Sequence, residues 1–336
     1  EKVKIDDVPP DPKAEKKARK ELGDGFKLKR TMHYSVFYNT NEEDIKSFGV
    51  AIETTYRSCV NYAQKLGVPI HQPKRKLSIY YFQEHAQYST QAKAIGAGEQ
   101  PQDIPGFYSP DLNVSFFYNY QNQDSFKRAR EQAESRIAEL KKQMAGQKDA
   151  NQRRAIQKQI ADARRQATHS STSGGDISEL IVQHEVAHQV LWNIGLHNPR
   201  DFRCNPRWLA EGTAMMFETI SDGKSVNWGA LNRMRLQGYR DLLKQDKLIP
   251  LRDFISTHNH FAPATIAIAY PESWAVVHYL NRTKRAQLAK YVELINKRPK
   301  GYKTTPEQEI ADFEKCFGKL DDKWITTWQN WMKKVR

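Results

Sequence analysis

Residues 176–218 read DISELIVQHEVAHQVLWNIGLHNPRDFRCNPRWLAEGTAMMFE. The segment carries two helical patterns separated by a turn-rich stretch. In the first, Leu180, Ala187, Leu191 and Ile194 fall on one helical stripe, and Gly195 is a natural stop just past its end. Asp176, three residues ahead of Glu179, predicts a capping box at its start. In the second, Asn205 suits the N-cap and Pro206 the first helical position. His184 and His188 stand four apart, hence on one helical face, and Glu185 follows the first of them directly. Glu211 comes after 22 intervening residues. That length lets one helix end, a loop turn and a second helix pack alongside.

Two imidazoles, a carboxylate and an open fourth position form the zinc arrangement that splits amide bonds. The expectation is one zinc ion per chain on His184, His188 and Glu211, with Glu185 as general base and then acid. The competing account is two core histidines and a solvated glutamate. Glu218, two turns beyond Glu211, is placed to support a ligand histidine and is read here rather as a surface acid.

The strings HEVAHQ and WLAEG resemble the gluzincin group of metallopeptidases, which includes thermolysin and the aminopeptidase N enzymes. HEVAHQVLWNIGL, GFYSP, WLAEGTAMMFE and YPESWAVVHYL together resemble more closely a bacterial family of gluzincin-like proteins, domain of unknown function 1570. This covers about residues 30–120 and 176–332. The resemblance implies a thermolysin-like catalytic domain whose third ligand is a glutamate on a second helix. It also implies that Tyr270, in YPESWA, supplies the phenol that stabilises the developing oxyanion, the alternative being a structural tyrosine at a helix start; His278, eight residues or about two turns further on, is a weaker substitute. A sheet edge beside the metal would hold an extended substrate as an added strand, and Val114–Tyr120 is the candidate edge, the competing account being that Phe116, Phe117 and Tyr118 simply pack the sheet. The aminopeptidases' GxMEN segment has no counterpart, GAGEQ at 96–100 being only a superficial echo, so cleavage within a chain is favoured over exopeptidase trimming.

Composition bounds the alternatives. The chain has 336 residues, 39% hydrophobic and 27% charged, with a formal net charge of +14. No run approaches the ~18 apolar residues of a membrane span. The positive charge implies attraction to anionic partners, but no helix-turn-helix, zinc-finger or RNA-binding signature accompanies it, so specific nucleic-acid recognition is not expected. Cys59, Cys204 and Cys316 leave open one disulfide plus a free thiol. The first residue is Glu1, which reads as a processed or trimmed N-terminus. With the family resemblance, that points to an extracytoplasmic location, secreted or periplasmic.

In chain order, the fold class is α+β. Residues 1–25, charged and proline-bearing, read as an exposed linker or arm. Residues 26–123 form an N-terminal lobe. It has a half-buried strand at Met32, Tyr34, Val36 and Tyr38, a helix from Glu42 to Leu66, a buried strand at Leu77–Phe82, a helix over 83–95, a turn at Gly106–Pro110 and the strand Val114–Tyr120. Residues 124–169 repeat a 4-3-4 apolar spacing on Ala133, Ile137, Leu140 and Met144 and again on Ile156, Ile160, Ala163 and Ala167. This predicts an inserted antiparallel helical hairpin. Its twelve Lys/Arg against six Asp/Glu make either a basic arm that recruits or gates substrate or a spacer with solvated charges. His169–Gly175 reads as a Ser/Gly return, residues 170–222 as the zinc-binding helices and residues 223–336 as a helical C-terminal lobe. There Trp324, Trp328 and Trp331 share one face as core, while His258 and His260 read as surface residues. The functional expectation is a zinc-dependent peptidase acting on peptide or protein substrates. The alternative is a catalytically silent metallopeptidase-like binding protein that recruits anionic partners through the hairpin.

Overall fold

The computed structural model describes residues 5–98, 104–147, 149–219 and 226–336, without the side chains of residues 124–127, 129–130, 150 and 164–177. The Glu99 and Gln100 end of GAGEQ and the 222/223 lobe boundary lie outside the described residues.

The fold is α+β and mixed in its sheet. Five strands, β1 (Lys27–Arg30), β2 (Tyr34–Tyr38), β3 (Leu77–Phe82), β4 (Gly106–Ser109) and β5 (Val114–Tyr118), lie in the order β1-β2-β3-β5-β4. The inner three run parallel and the two outer ones antiparallel to their neighbours. Two expectations change here. GFYS is strand β4 rather than a turn, and among the described residues β4, not β5, is the outer strand beside the site. Val114–Tyr118 is internal, paired to β3 on one side and β4 on the other, so its row of apolar residues packs the sheet. Gly106 makes that pairing close: a Cβ there would stand 2.3 Å from the Phe117 ring.

Both sheet faces are covered, which is why β2 and β3 are buried along their whole length rather than alternately. On one face Val36, Ile79, Tyr81 and Phe117 meet α2 (Glu42–Leu66) and the C-terminal part of α5 (Ala150–Asn193) in the main core. On the other, Phe37, Tyr80, Phe116 and Tyr118 meet α1 (Pro12–Leu22) and α3 (His85–Ala94) in a smaller one. Helix α1 corrects the exposed-arm expectation. Asp11 caps it through the amides of Lys13 and Ala14, Ala18 is fully buried, and Glu15 accepts from Arg30 and Ser35 of the sheet.

The hairpin is present, formed by α4 (Asp124–Gly146) and the first part of α5, with Leu140 and Ile160 buried in its seam. Arg128, Arg136, Lys141, Lys142, Arg153, Arg154 and Lys158 are exposed on it. Helix α5, however, does not begin at Asp176. It is one 44-residue helix capped by Asp149, and it passes through Ser170–Gly175 without a break. That stretch contains no proline. Its glycines cost only about 1 kcal/mol each, which packing at the two ends of the helix offsets.

Helix α6 (Arg207–Ala214) starts one residue later than expected, with Pro206 as N-cap. Asn205 instead accepts the Asn198 amide at 2.9 Å and donates to the Phe202 carbonyl, bracing the α5–α6 loop. The remaining helices are α7 (Arg233–Lys244), α8 (Leu251–Ser256), α9 (Ile266–Thr283), α10 (Arg285–Asn296), α11 (Pro306–Phe317) and α12 (Asp322–Lys334). Trp324 and Trp328 are buried in the core and Trp331 packs against it. Helix α9 crosses α6 at Gly212, where a Cβ would meet the Ser273 carbonyl oxygen and the Val277 methyl at 2.5 Å. All three cysteines are free. Among the described residues no helix is long and apolar enough to cross a membrane.

Candidate metal centre

Helix α5 supplies His184, Glu185 and His188 to a cleft of about 540 Å³. The helix cannot roll on the sheet because Gln189, fully buried, donates to the carbonyls of Ser78 and Asn113 at 3.1 Å and accepts from Ser115. Asn193, one turn on, pairs with Asn113, whose left-handed backbone (φ 54°) closes the β4–β5 turn. The imidazoles are therefore aimed by polar contacts on the helix's other positions.

Glu211 on α6 completes the cluster. The Nε2 atoms of His184 and His188 are 3.0 Å apart, and Glu211 Oε2 lies 3.2 Å from the first and 3.3 Å from the second. These side chains are 7%, 7% and 12% exposed. One ligand atom from each converges within 4.8 Å, so the group could hold a metal ion. As protein groups alone the cluster attracts positive charge. Burial opposes a charge on His184, yet its hydrogen bonds to Glu211 and Glu218 raise its pKa to about 10. Burial likewise opposes ionisation of Glu211, but His188 and His184 outweigh it and hold the carboxyl well below its usual range.

Glu218 is the residue the sequence reading misplaced. It is buried, not at the surface, and its Oε1 lies 2.9 Å from His184 Nδ1. Arg235 on α7 grips the same carboxylate through Nε and Nη2 at 2.8 Å, and Asn232 donates to Oε2 at 3.0 Å. Burial works against the charge, but His184 and Arg235 bring the pKa of Glu218 down to about 2. The carboxylate therefore orients the His184 ring with Nε2 turned to the cluster, and would keep the proton on Nδ1 were Nε2 to serve as a metal ligand. His188 Nδ1 is buried without a hydrogen-bond partner.

Glu185 faces the cleft, and Oε2 accepts the Tyr108 amide of β4 at 2.8 Å. Burial raises its pKa, against the lowering effect of the two imidazoles. Tyr270 enters from α9. Its ring stacks on His184 at 6.1 Å between centroids, and the Arg235 guanidinium lies 5.4 Å from its centre. The charge of Glu211, then burial, keeps its phenol protonated well above the ordinary range. His258 also lines the cleft, which corrects its reading as a surface residue. His278 does not: it is buried against Trp274, at 4.8 Å between rings, outside the cleft lining.

Neither the curated proteins nor the solved structures give a match to this chain. The match that does occur falls on the segment just described: residues 178–300, which carry the metal cluster, Glu185, Glu218, Arg235, His258 and Tyr270, match the model of the family described as protein of unknown function (DUF1570).

Proposed function

We propose that this chain is a zinc-dependent peptidase of gluzincin type that hydrolyses peptide bonds within a chain. The observation that carries the reading is the convergence of His184, His188 and Glu211 with Glu185 beside them in a cleft bordered by the outer strand β4. The donor set suits zinc: two nitrogens and one oxygen, three protein ligands in all. Ligands of a tetrahedral zinc at ~2.0–2.1 Å stand about 3.3 Å from one another, and the three separations here are 3.0–3.3 Å. A zinc ion held there supplies a Lewis acid for the scissile carbonyl and lowers the pKa of water.

The protein groups then divide the work. Glu185, with Oε2 occupied by the Tyr108 amide, has Oε1 left to accept a proton from the attacking water and return it to the leaving amine. Tyr270, kept protonated, donates its phenol proton in a hydrogen bond to the substrate oxygen as charge develops there. Glu218 and Arg235 hold His184 in register. The β4 edge supports an extended substrate, aligned by backbone pairing.

Zinc content and peptide cleavage of the wild type, Glu185→Gln and Glu211→Ala test this together. About one zinc per chain is expected in the first two and a large loss in the third. Cleavage should be confined to the wild type, Glu185→Gln losing roughly 10²–10⁴-fold. No zinc in any form after reconstitution, or cleavage undiminished by Glu185→Gln, would overturn the reading.

A further inference from the structure

The cleft wall carries a guanidinium that the catalytic reading does not use. Arg207 is the first residue of α6, exposed, and lines the cleft. It stands four residues before Glu211, so the two share a helix face about one turn, or ~5.4 Å, apart. Its backbone amide donates to His258 Nδ1 at 3.3 Å, and its guanidinium carbon lies 5.2 Å from the centre of the Phe261 ring. The other cations nearby are committed. Arg203 Nη2 donates to both Asp111 oxygens at 2.6 and 2.7 Å, and Arg235 forks onto Glu218. Among the described residues no carboxylate forms an ion pair with Arg207. The acids of the cleft are themselves engaged, Glu185 by the Tyr108 amide and Glu211 by the two imidazoles.

We infer that Arg207 is a specificity determinant that receives a carboxylate flanking the scissile bond, making acidic peptides the preferred substrates. A guanidinium resting on an aromatic face presents a planar fork that matches a carboxylate in two parallel hydrogen bonds. One extended residue spans ~3.3–3.6 Å, so a position one turn of helix from the metal ligand reaches a residue next to the reacting bond. The carboxylate is that of a Glu or Asp side chain; a peptide's own C-terminus offers the same chemistry but would make the cut a terminal one, and the amidated set tells the two apart.

The inference rests on the peptidase reading, and its test separates the two. The zinc-loaded protein is given peptides with blocked termini that differ only in Glu, Gln or Lys on either side of the cut. A parallel neutral set differs only in a free or amidated C-terminus. The same peptides, fluorescently labelled, are bound to zinc-loaded Glu185→Gln and followed by anisotropy. The carboxylate form should be favoured roughly ten- to a hundred-fold in kcat/KM and in affinity. The arm showing the preference identifies the carboxylate's source. The preference should collapse in Arg207→Ala, return in part in Arg207→Lys and invert toward Lys in Arg207→Glu. It should persist in Lys141→Ala, which removes the same charge from the hairpin. Equal handling of Glu and Gln and of both termini, a preference that survives Arg207→Ala, or one lost equally in Lys141→Ala would overturn it. If no peptide is cut, the peptidase reading falls, and the anisotropy measurement alone decides for or against Arg207.

Discussion

His184 is held from both ends, its Nε2 by the cluster and its Nδ1 by Glu218, whereas His188 has no partner on its Nδ1. The metal site should therefore depend on Glu218 almost as on a ligand. Glu218→Ala frees the imidazole to rotate and leaves Arg235 buried without its counter-charge. Metal affinity, read by competition with a chromogenic chelator, should drop roughly 10–100-fold. An unchanged affinity would mean that packing alone orients the ring. The pairing of His184 with His188 and the place of Glu185 were legible because a helix converts a four-residue spacing into one face. Glu218 was not, since an acid looks the same in sequence whether it is solvated or buried. What marks it is Arg235 and Asn232, brought onto it from another element.

Helices α6 and α9 approach so closely at Gly212 that the glycine beside Glu211 is a packing requirement. The Ser273 backbone cannot move aside as a flexible side chain would. Gly212→Ala should thus push α6 away and carry Glu211 with it. A destabilisation of about 1–3 kcal/mol in denaturant unfolding is expected from the overpacking, with metal content falling in parallel. Stability without change in either would show that the crossing yields elsewhere. Amphipathic spacing made α2, the hairpin and the C-terminal helices readable. It failed for β4, four residues whose role comes from pairing with β5. Helix α1 was missed although Ala14, Ala18 and Leu22 share one face, because two small alanines among many charges look like a solvated arm. The start of α5 was misplaced because a Ser/Gly run followed by Asp-x-x-Glu resembles a loop and cap, while tertiary packing carries the helix through.

Global stability should bear the imprint of one buried acid. Glu272 on α9 is fully enclosed, with Oε2 accepting the Ile249 amide at 3.1 Å and Oε1 without a partner. Burial pushes its pKa up to about 8. In the unfolded chain the group ionises near ~4.3. Between those values folding takes up a proton, so stability falls as pH rises from about 4.3 through 8 and levels off above. Glu272→Gln removes that slope. Its Tm should gain on the wild type as pH is raised from 5 to 9, and parallel curves would mean that Glu272 ionises freely in the fold.

The helix that presents His184 and His188 also forms one half of the hairpin, and its 44 residues rise about 66 Å end to end. A single rod that crosses from a thin seam into the main core has two local opening free energies along one hydrogen-bond ladder. Amides near Ile156 and Ile160 need only the hairpin to separate before they exchange with solvent, while those from Val186 to Leu191 need the sheet and α6 to part. Deuterium uptake should therefore step by orders of magnitude along this helix, and the poor helix formers of Ser170–Gly175 are where the step belongs. The arm should then open and close many times over while the His184, His188 and Glu211 group stays together, which the same exchange measurement reads as two separate opening free energies.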